Sequence, residues 1–259
     1  MASIGEKLGD IALEVYEKIL MDEVMKNPRP SHIAIITDGN RRYAKGEGLP
    51  EYLGHVKGKE KLEEVLEWCR ELGINIVTVY AFSTENFSRK KEEIDFLFDL
   101  IERALFEMLE DKRIYENQIN VKVIGRIDVL PKTLRDVIKK VEEKTRDFDK
   151  FRLNLAIGYG GRSEIVDAVR NIAIRVKNGT MDVKDINEET FRDFLYDGNL
   201  PDPDLVFRTS GEERVSNFLL WQSAYSELYF CEVNWPELRK IDLLRDIQNY
   251  QHRKRRYGH

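Results

Sequence analysis

Apolar residues recur with two different periods along this 259-residue chain, and the switching between them sets the expected fold. Near the amino terminus Ile4, Leu8, Ile11, Ala12, Val15 and Ile19 fall at helical spacing, and Pro28 and Pro30 end that pattern. Packing on the body of the protein is the simplest role for such a helix. A partner or a membrane surface are the alternatives. After Pro30, short apolar runs at residues 32–37, 74–82, 119–124, 151–157, 204–208 and 227–230 read as strands. Helical patterns separate them at about 59–72, 92–110, 130–145 and 163–179, and a basic one follows from Leu238.

Strands that alternate with helical patterns of this length indicate βαβ units. The near-continuous apolar character of residues 33–36 and 76–82 suits strands buried on both faces. The expectation is an α/β fold, a single domain with a mostly parallel central sheet flanked by helices. Residues 1–28 would form a helical arm, and residues 29–259 the main body. No low-complexity segment or Pro/Gly-rich linker divides the chain.

Composition narrows the class of function. A formal net charge of -5 argues against a general nucleic-acid binder, although local arginine clusters can still make a positive pocket. Cys69 and Cys231 stand in unrelated contexts, with no CxxC pair and no zinc spacing. The charged start lacks the apolar core of a signal peptide, and no stretch reaches the length of a membrane span. A soluble, cytoplasmic protein is expected, with peripheral contact at the inner face of the membrane as a further option.

In open parallel sheets ligands bind beyond the carboxyl ends of the strands. Here those ends read Thr37-Asp38-Gly39-Asn40-Arg41-Arg42, then Ser83-Thr84-Glu85-Asn86-Phe87-Ser88-Arg89, then Gly158-Tyr159-Gly160-Gly161-Arg162. The fifth strand ends in Arg208-Thr209-Ser210-Gly211-Glu212, with Arg214 and Ser216 close behind. Guanidinium forks suit phosphate, and glycines let backbone amides approach anionic oxygens. One aspartate beside them is what a Mg²⁺–diphosphate complex requires. Each cluster alone could be an ordinary turn or a structural ion pair. Two nucleotide motifs fail: Ser163 replaces the third glycine of G-x-G-x-x-G, and residues 54–60 miss the P-loop by one position and by Glu60. The coincidence of four such clusters favours a diphosphate-binding rim.

At these residues the chain resembles the cis-prenyltransferase family, typified by undecaprenyl diphosphate synthase and here of archaeal type. HIAIITDGNRRYAK, GHVKG, YAFSTENFSR, GYGGRSEI and DLVFRTSGEERVSNFLLWQSAYSELYF follow its signature blocks in order. The resemblance implies a homodimeric enzyme that encloses an apolar tunnel, with residues 29–259 as its catalytic domain. It implies repeated condensation of isopentenyl diphosphate onto an allylic primer, farnesyl or geranylgeranyl diphosphate. The product would be a long-chain polyprenyl diphosphate, precursor of a lipid carrier for glycan assembly.

By the same resemblance Asp38 would hold Mg²⁺ and, with Asn86, act in catalysis, while Glu227 would complete the metal environment, in one arrangement across the dimer. Gly39, Asn40, Arg41, Arg42, Tyr43 and His55 would bind the allylic diphosphate. Arg208, Arg214 and Ser216 would bind isopentenyl diphosphate. Ser83, Glu85, Phe87 and Arg89 match a mobile substrate-binding segment, and Glu93 a following acid tied to it. Arg256 and Gly258 resemble an element that reaches a neighbouring active site; a solvated basic tail is the plain alternative.

The apolar stripe of Ile94, Phe96, Leu97, Phe98, Leu100, Ile101, Ala104 and Leu105 is a candidate tunnel wall, as is Ala81. No DDxxD motif occurs, which sets the chain apart from trans-prenyltransferases. Two departures bear on the primer: Glu51 stands where an arginine is common in the family, and Arg41 where a glycine is common. A non-catalytic partner subunit of a heteromeric enzyme is the alternative, although such proteins usually lose the equivalents of Asp38 or of the arginines after the fifth strand.

Overall fold

All five residues of the first strand, β1 (His32–Ile36), are buried, so it needs neighbours at both edges and cover on both faces. In the computed structural model, which describes residues 4–253, it lies between β2 (Ile76–Ser83) and β5 (Leu205–Arg208). Beyond β2 come β4 (Phe151–Tyr159) and β3 (Ile119–Ile124), and β6 (Glu227–Phe230) pairs with β5. The order β3-β4-β2-β1-β5-β6 is parallel throughout. Every strand therefore ends at the same edge, which brings Asp38, Ser83, Tyr159 and Thr209 to one rim.

Side chains alternate across the sheet. Ile33 and Ile35 enter the larger core, while Ala34 and Ile36 enter a smaller one with Tyr80, Tyr159 and Phe218. The larger core lies under α1 (Ile4–Met25), α3 (Glu51–Glu71), α4 (Lys91–Glu110), α6 (Lys132–Thr145) and α9 (Lys240–His252). Short helices α2 (Asn40–Gly46), α5 (Lys112–Glu116) and α8 (Glu188–Arg192) fill connections. On the smaller-core side α7 (Gly161–Lys177) is anchored by Glu164, whose carboxylate accepts from the hydroxyl of Tyr159 and the amide of Gln222.

Two expectations change. The helix expected from residue 59 begins at Glu51 and contains Gly54 and Gly58. These glycines do not break it. A Cβ on Gly54 would strike the carbonyl of Asn40, and one on Gly58 the Asn40 side chain, so both let α2 pack directly on α3. In the described part of α1, Val15 and Ile19 of the predicted stripe are half-exposed, while Leu20 and Val24 are buried against α9. The side chains of Ile4, Leu8, Ile11 and Ala12 lie outside the described residues. A helix with two apolar stripes does not say which one faces inward; the Gln251 amide of α9, donating to the Val24 carbonyl, holds the second.

His32 enters the sheet at its other edge and is almost fully buried. Its Nδ1 lies 2.8 Å from the Pro201 carbonyl and its Nε2 2.8 Å from Thr78 Oγ1, which also accepts from Asn154. The ring is thus a neutral donor–acceptor, and burial drives its pKa down to about 4. An unfolded chain takes up the proton near pH 6.5, so stability is full above that value and falls as pH drops toward 4. The loss should reach about 3 kcal/mol. Asp246, raised to about 8 by burial, has the opposite slope over the same range. Denaturant unfolding at pH 7 and pH 4.5 should therefore be compared between the native chain and His32→Gln. The variant should lose less stability on acidification, and an identical pH slope would contradict the assignment. For the helix pair, Gly58→Ala should cost about 1–3 kcal/mol through overpacking, read by the same unfolding curves.

Candidate active site

The end of β1 turns sharply into α2, and Gly39 makes that turn at φ 103°. A Cβ there would lie 2.6 Å from Asn234 Oδ1, so both conformation and space require glycine. The turn leaves Asp38 at the rim. One of its oxygens accepts from the Gly39 amide at 2.7 Å, and the other faces Arg208 at 2.8 Å and Arg42 at 3.1 Å. Burial pushes the Asp38 carboxyl up, but the hydrogen bond and charge of Arg208, with Ser210 and Arg42, hold it below the ordinary carboxylate value. It is ionised at neutral pH.

Arg208, at the end of β5, is the buried centre of this cluster, its side chain only 5% exposed. Besides Asp38 it donates to the Arg214 carbonyl and to Ser216 Oγ at 2.6 Å. Its Nε has no acceptor. Arg42 donates to the carbonyl and hydroxyl of Ser210 at 3.0 and 2.6 Å and faces Glu212 at 3.5 Å. The loop after β5 is wound tightly to allow this. Among the described non-glycine residues five have positive φ, and four of them are Ser210, Ser216, Asn217 and Leu219.

A second charged cluster faces the first across α2. Glu93 of α4 meets Arg89 at 2.8 Å, Arg41 at 3.6 Å and His55 Nε2 at 3.5 Å, the last without hydrogen-bond geometry. Burial first, then the Arg89 charge, lowers the His55 pKa, so the ring is neutral at pH 7. Arg41 also faces Glu51 at 3.9 Å. The two departures noted in the sequence are thus paired with one another. Residues 84–88 form a 3₁₀ turn in which Asn86 Oδ1 accepts from the Ser83 amide at 2.9 Å. Phe87 tucks its ring edge against Phe82, with 5.0 Å between centroids. Tyr43 is half-buried on α2.

Behind the rim a cavity of about 120 Å³ runs between α3, α4 and the sheet, past Val79, Ala81, Leu97, Leu100 and Ile101. Thr37, Asn40 and His55 line its rim end. Farther from the rim a second cavity of about 290 Å³ shares Leu62, Ala104 and Met108 with it. Of the predicted wall, Leu97, Leu100, Ile101, Ala104 and Leu105 line the first cavity, while Phe96 packs on Tyr52 and Phe98 on Phe82. An anionic head can sit at the arginines while an apolar tail enters between the helices.

Asp38, Gly39, Arg42, Arg208 and Ser216 meet at one place with the Arg214 carbonyl, while the Arg214 guanidinium turns to Glu212 and is largely exposed. Arg41, His55, Arg89 and Glu93 meet beside them. Glu227 does not join them. It opens β6 in register with Leu205, at the far end of the strand from Arg208, and its carboxylate accepts from Arg253 at 2.7 Å. Arg256 and Gly258 lie outside the described residues.

The Gly160-Gly161 turn is not an open anion cradle, because the Gly161 and Arg162 amides already donate to Asn217. Sequence reading also left Thr209, Ser210 and Asn234 without roles. The Thr209 hydroxyl donates to the Asp38 carbonyl at 2.6 Å, and Asn234 walls Gly39. Only their partners, distant in sequence, distinguish them from ordinary loop residues.

A prenyltransferase family model described as undecaprenyl diphosphate synthase matches residues 36–258. A relative in Thermoplasma volcanium is 63% identical over 255 residues, 98% of this chain and 99% of its own length. One in Methanocaldococcus jannaschii is 52% identical over 248 residues, 95% and 89% of the two lengths. Both are named tritrans,polycis-undecaprenyl-diphosphate synthase, geranylgeranyl-diphosphate specific. The crystal structure of lavandulyl diphosphate synthase from Lavandula x intermedia, in complex with dimethylallyl diphosphate, is 36% identical. It superposes with a TM-score of 0.85 over 89% of this chain and 99% of that one. On a family model that spans most of the chain and relatives this similar over nearly its whole length, the chain belongs to the undecaprenyl diphosphate synthase family and is a cis-prenyltransferase.

Proposed function

We propose that this enzyme elongates geranylgeranyl diphosphate with isopentenyl diphosphate and that Asp38, Arg42 and Arg208 form its diphosphate centre. The observation that carries this reading is the cluster itself: one ionised aspartate and two guanidinium groups at the mouth of an apolar cavity. Three buried polar atoms without partners, Asn40 Oδ1, His55 Nε2 and Arg208 Nε, belong to the same rim. Buried polar atoms are seldom left unpaired, so a polar ligand there supplies what the chain lacks. The primer choice is supported by the relatives, which are specific for geranylgeranyl diphosphate by name.

Gly39, Asn40, Arg41, Arg42, Tyr43 and His55 would receive the allylic diphosphate, and Arg208, Arg214 and Ser216 the isopentenyl diphosphate. Mg²⁺ fits the donor set. Among the described residues no group of three or more His, Cys, Asp or Glu side chains could hold a metal alone. A single carboxylate is enough when phosphate oxygens and water complete the octahedron. Asp38 would hold the ion, which would supply charge neutralisation at the leaving diphosphate. Glu227 can add to a metal site only in a second copy of the chain, since the length of β6 separates it from its own Asp38. A homodimer is the arrangement this implies.

In the reaction the isopentenyl double bond attacks the allylic carbon, and the diphosphate departs with the electrons of its C–O bond. A proton is then lost to set the new double bond. The arginines are charged before substrate arrives and need little reorganisation as negative charge builds on the leaving group. Holding both diphosphates on one rigid sheet edge supplies orientation. Asn86 and the 83–89 segment, with Ser83, Glu85, Phe87 and Arg89, would close over the site and place the group that accepts the proton. The described residues include no helix long and apolar enough to cross a membrane. A cytoplasmic enzyme that meets the bilayer peripherally suits an apolar product.

Asp38→Asn should lower turnover about 100- to 1,000-fold in a protein that still folds, with its unfolding curve shifted to lower stability because Arg208 loses its counter-charge. Chelation of Mg²⁺ should stop the reaction, and re-addition restore it. Butanol-extractable product from labelled isopentenyl diphosphate measures both, and normal activity of Asp38→Asn would remove the metal role. In the same assay geranylgeranyl diphosphate should give a kcat/KM at least about tenfold above that for farnesyl diphosphate, a difference of about 1.4 kcal/mol. Equal values would overturn the primer assignment.

A further inference from the structure

Asn217 lies where three segments of the rim meet, and its groups bond to two of them from within the third. Its Oδ1 accepts from the Arg162 amide at 2.8 Å, and its backbone carbonyl accepts from the Gly161 amide at 2.7 Å. Both amides open α7. Its Nδ2 donates to Glu85 Oε1 at 2.9 Å, in the turn that follows β2. The adjacent residue, Ser216, accepts from Arg208 at 2.6 Å, and the Tyr80 hydroxyl donates to the Ser216 carbonyl. One residue thus ties the 83–89 segment and the start of α7 to the loop that Arg208 holds.

The neighbouring packing is built around this contact. A Cβ on Gly160 would lie 2.5 Å from Thr84 Oγ1 and 2.8 Å from Asn217 Nδ2, and one on Gly161 would press into Leu220. The glycine pair therefore lets the post-β2 turn and the post-β5 loop approach the same point. Ser216 and Asn217 adopt φ of 45° and 65°, a conformation that serine seldom takes and asparagine tolerates. Burial pushes the Glu85 carboxyl up, but the Asn217 amide comes next among its influences and helps hold it low.

We propose that Asn217 is a positioning residue: it sets Ser216 and Arg208 for isopentenyl diphosphate and links their geometry to the substrate-covering segment through Glu85. The inference rests on the reading of Arg208 and Ser216 as the isopentenyl diphosphate site. Loss of either side-chain bond lets the Ser216 end of the loop relax away from Arg208, while Arg42 holds the Ser210 end of the same loop and Asn234 still walls Gly39. The effect falls on one substrate.

Three measurements test this. Asn217→Gly keeps the left-handed backbone and removes both side-chain bonds. It should raise KM for isopentenyl diphosphate about five- to tenfold, leave KM for the allylic primer within about twofold, and change kcat less. A near-native KM for isopentenyl diphosphate would show that only the backbone conformation matters and overturn the proposal. Asn217→Asp keeps the acceptor for Arg162 but sets a carboxylate against Glu85, whereas Asn217→Asp with Glu85→Gln restores a bond in the reverse sense. The double variant should return to within about twofold of Glu85→Gln alone, and simple multiplication of the two single effects would equally overturn the coupling. Arg208→Ala is the reference: an unchanged KM for isopentenyl diphosphate there would bring down the site reading and this proposal with it. A raised one beside a silent Asn217→Gly would remove the proposal alone.

Discussion

The arrangement of the site depends on one ion pair, buried Arg208 with half-buried Asp38, across the ends of neighbouring central strands. A guanidinium this deeply buried is costly unless its donors are met, and here Asp38, the Arg214 carbonyl and the Ser216 hydroxyl meet most of them. Its bonds to Arg214 and Ser216 wind the loop after β5, and the Thr209 hydroxyl ties the same loop to the Asp38 carbonyl. Arg42 then reaches that loop through Ser210. In the proposed reaction an arriving diphosphate would compete with Asp38 for these arginines, and Asp38 is the residue that would hold the metal.

The apolar half of the site follows from a different constraint. Gly54 and Gly58 bring α3 close onto α2, and the Trp235 indole fixes this contact by donating to the Gly58 carbonyl at 2.8 Å. With α3 drawn that way, the space between α3, α4 and β2 is lined by small and branched side chains but not filled. Protein interiors are otherwise close-packed, so a persistent gap behind a charged rim is a feature with a use. Asn40 and His55 line the end of the cavity nearest the charged rim, so in the proposed function a tail and its head group would lie in register.

Much of this was legible before any coordinates. The strands at 119–124 and 227–230 appear with the bounds expected from their apolar runs, and helices separate the first five strands as a parallel sheet requires, whereas β5 and β6 are joined by a loop. Asp38 and Arg208 stand at or just after strand ends, where a parallel sheet gathers its ligand-binding groups, and Arg214 and Ser216 follow in the loop after β5. The inward stripe of α1 and the true start of α3 were not legible. Periodicity reports that a face is apolar, and glycine that a Cβ is absent, yet neither reports what lies opposite.

The sequence by itself determined the fold class, the rim and the type of chemistry, because local period and strand-end residues are properties of neighbours in the chain. Only the tertiary structure decided which groups act together. Arg41 faces Glu51, the Gly160-Gly161 turn is occupied by Asn217, and Glu227 opens its strand at the edge away from Asp38. Each of these pairings joins residues separated along the chain by at least ten positions or by the length of a strand. Electrostatic and hydrogen-bonding partners are chosen by distance in space, and distance in space exists only once the sheet has formed.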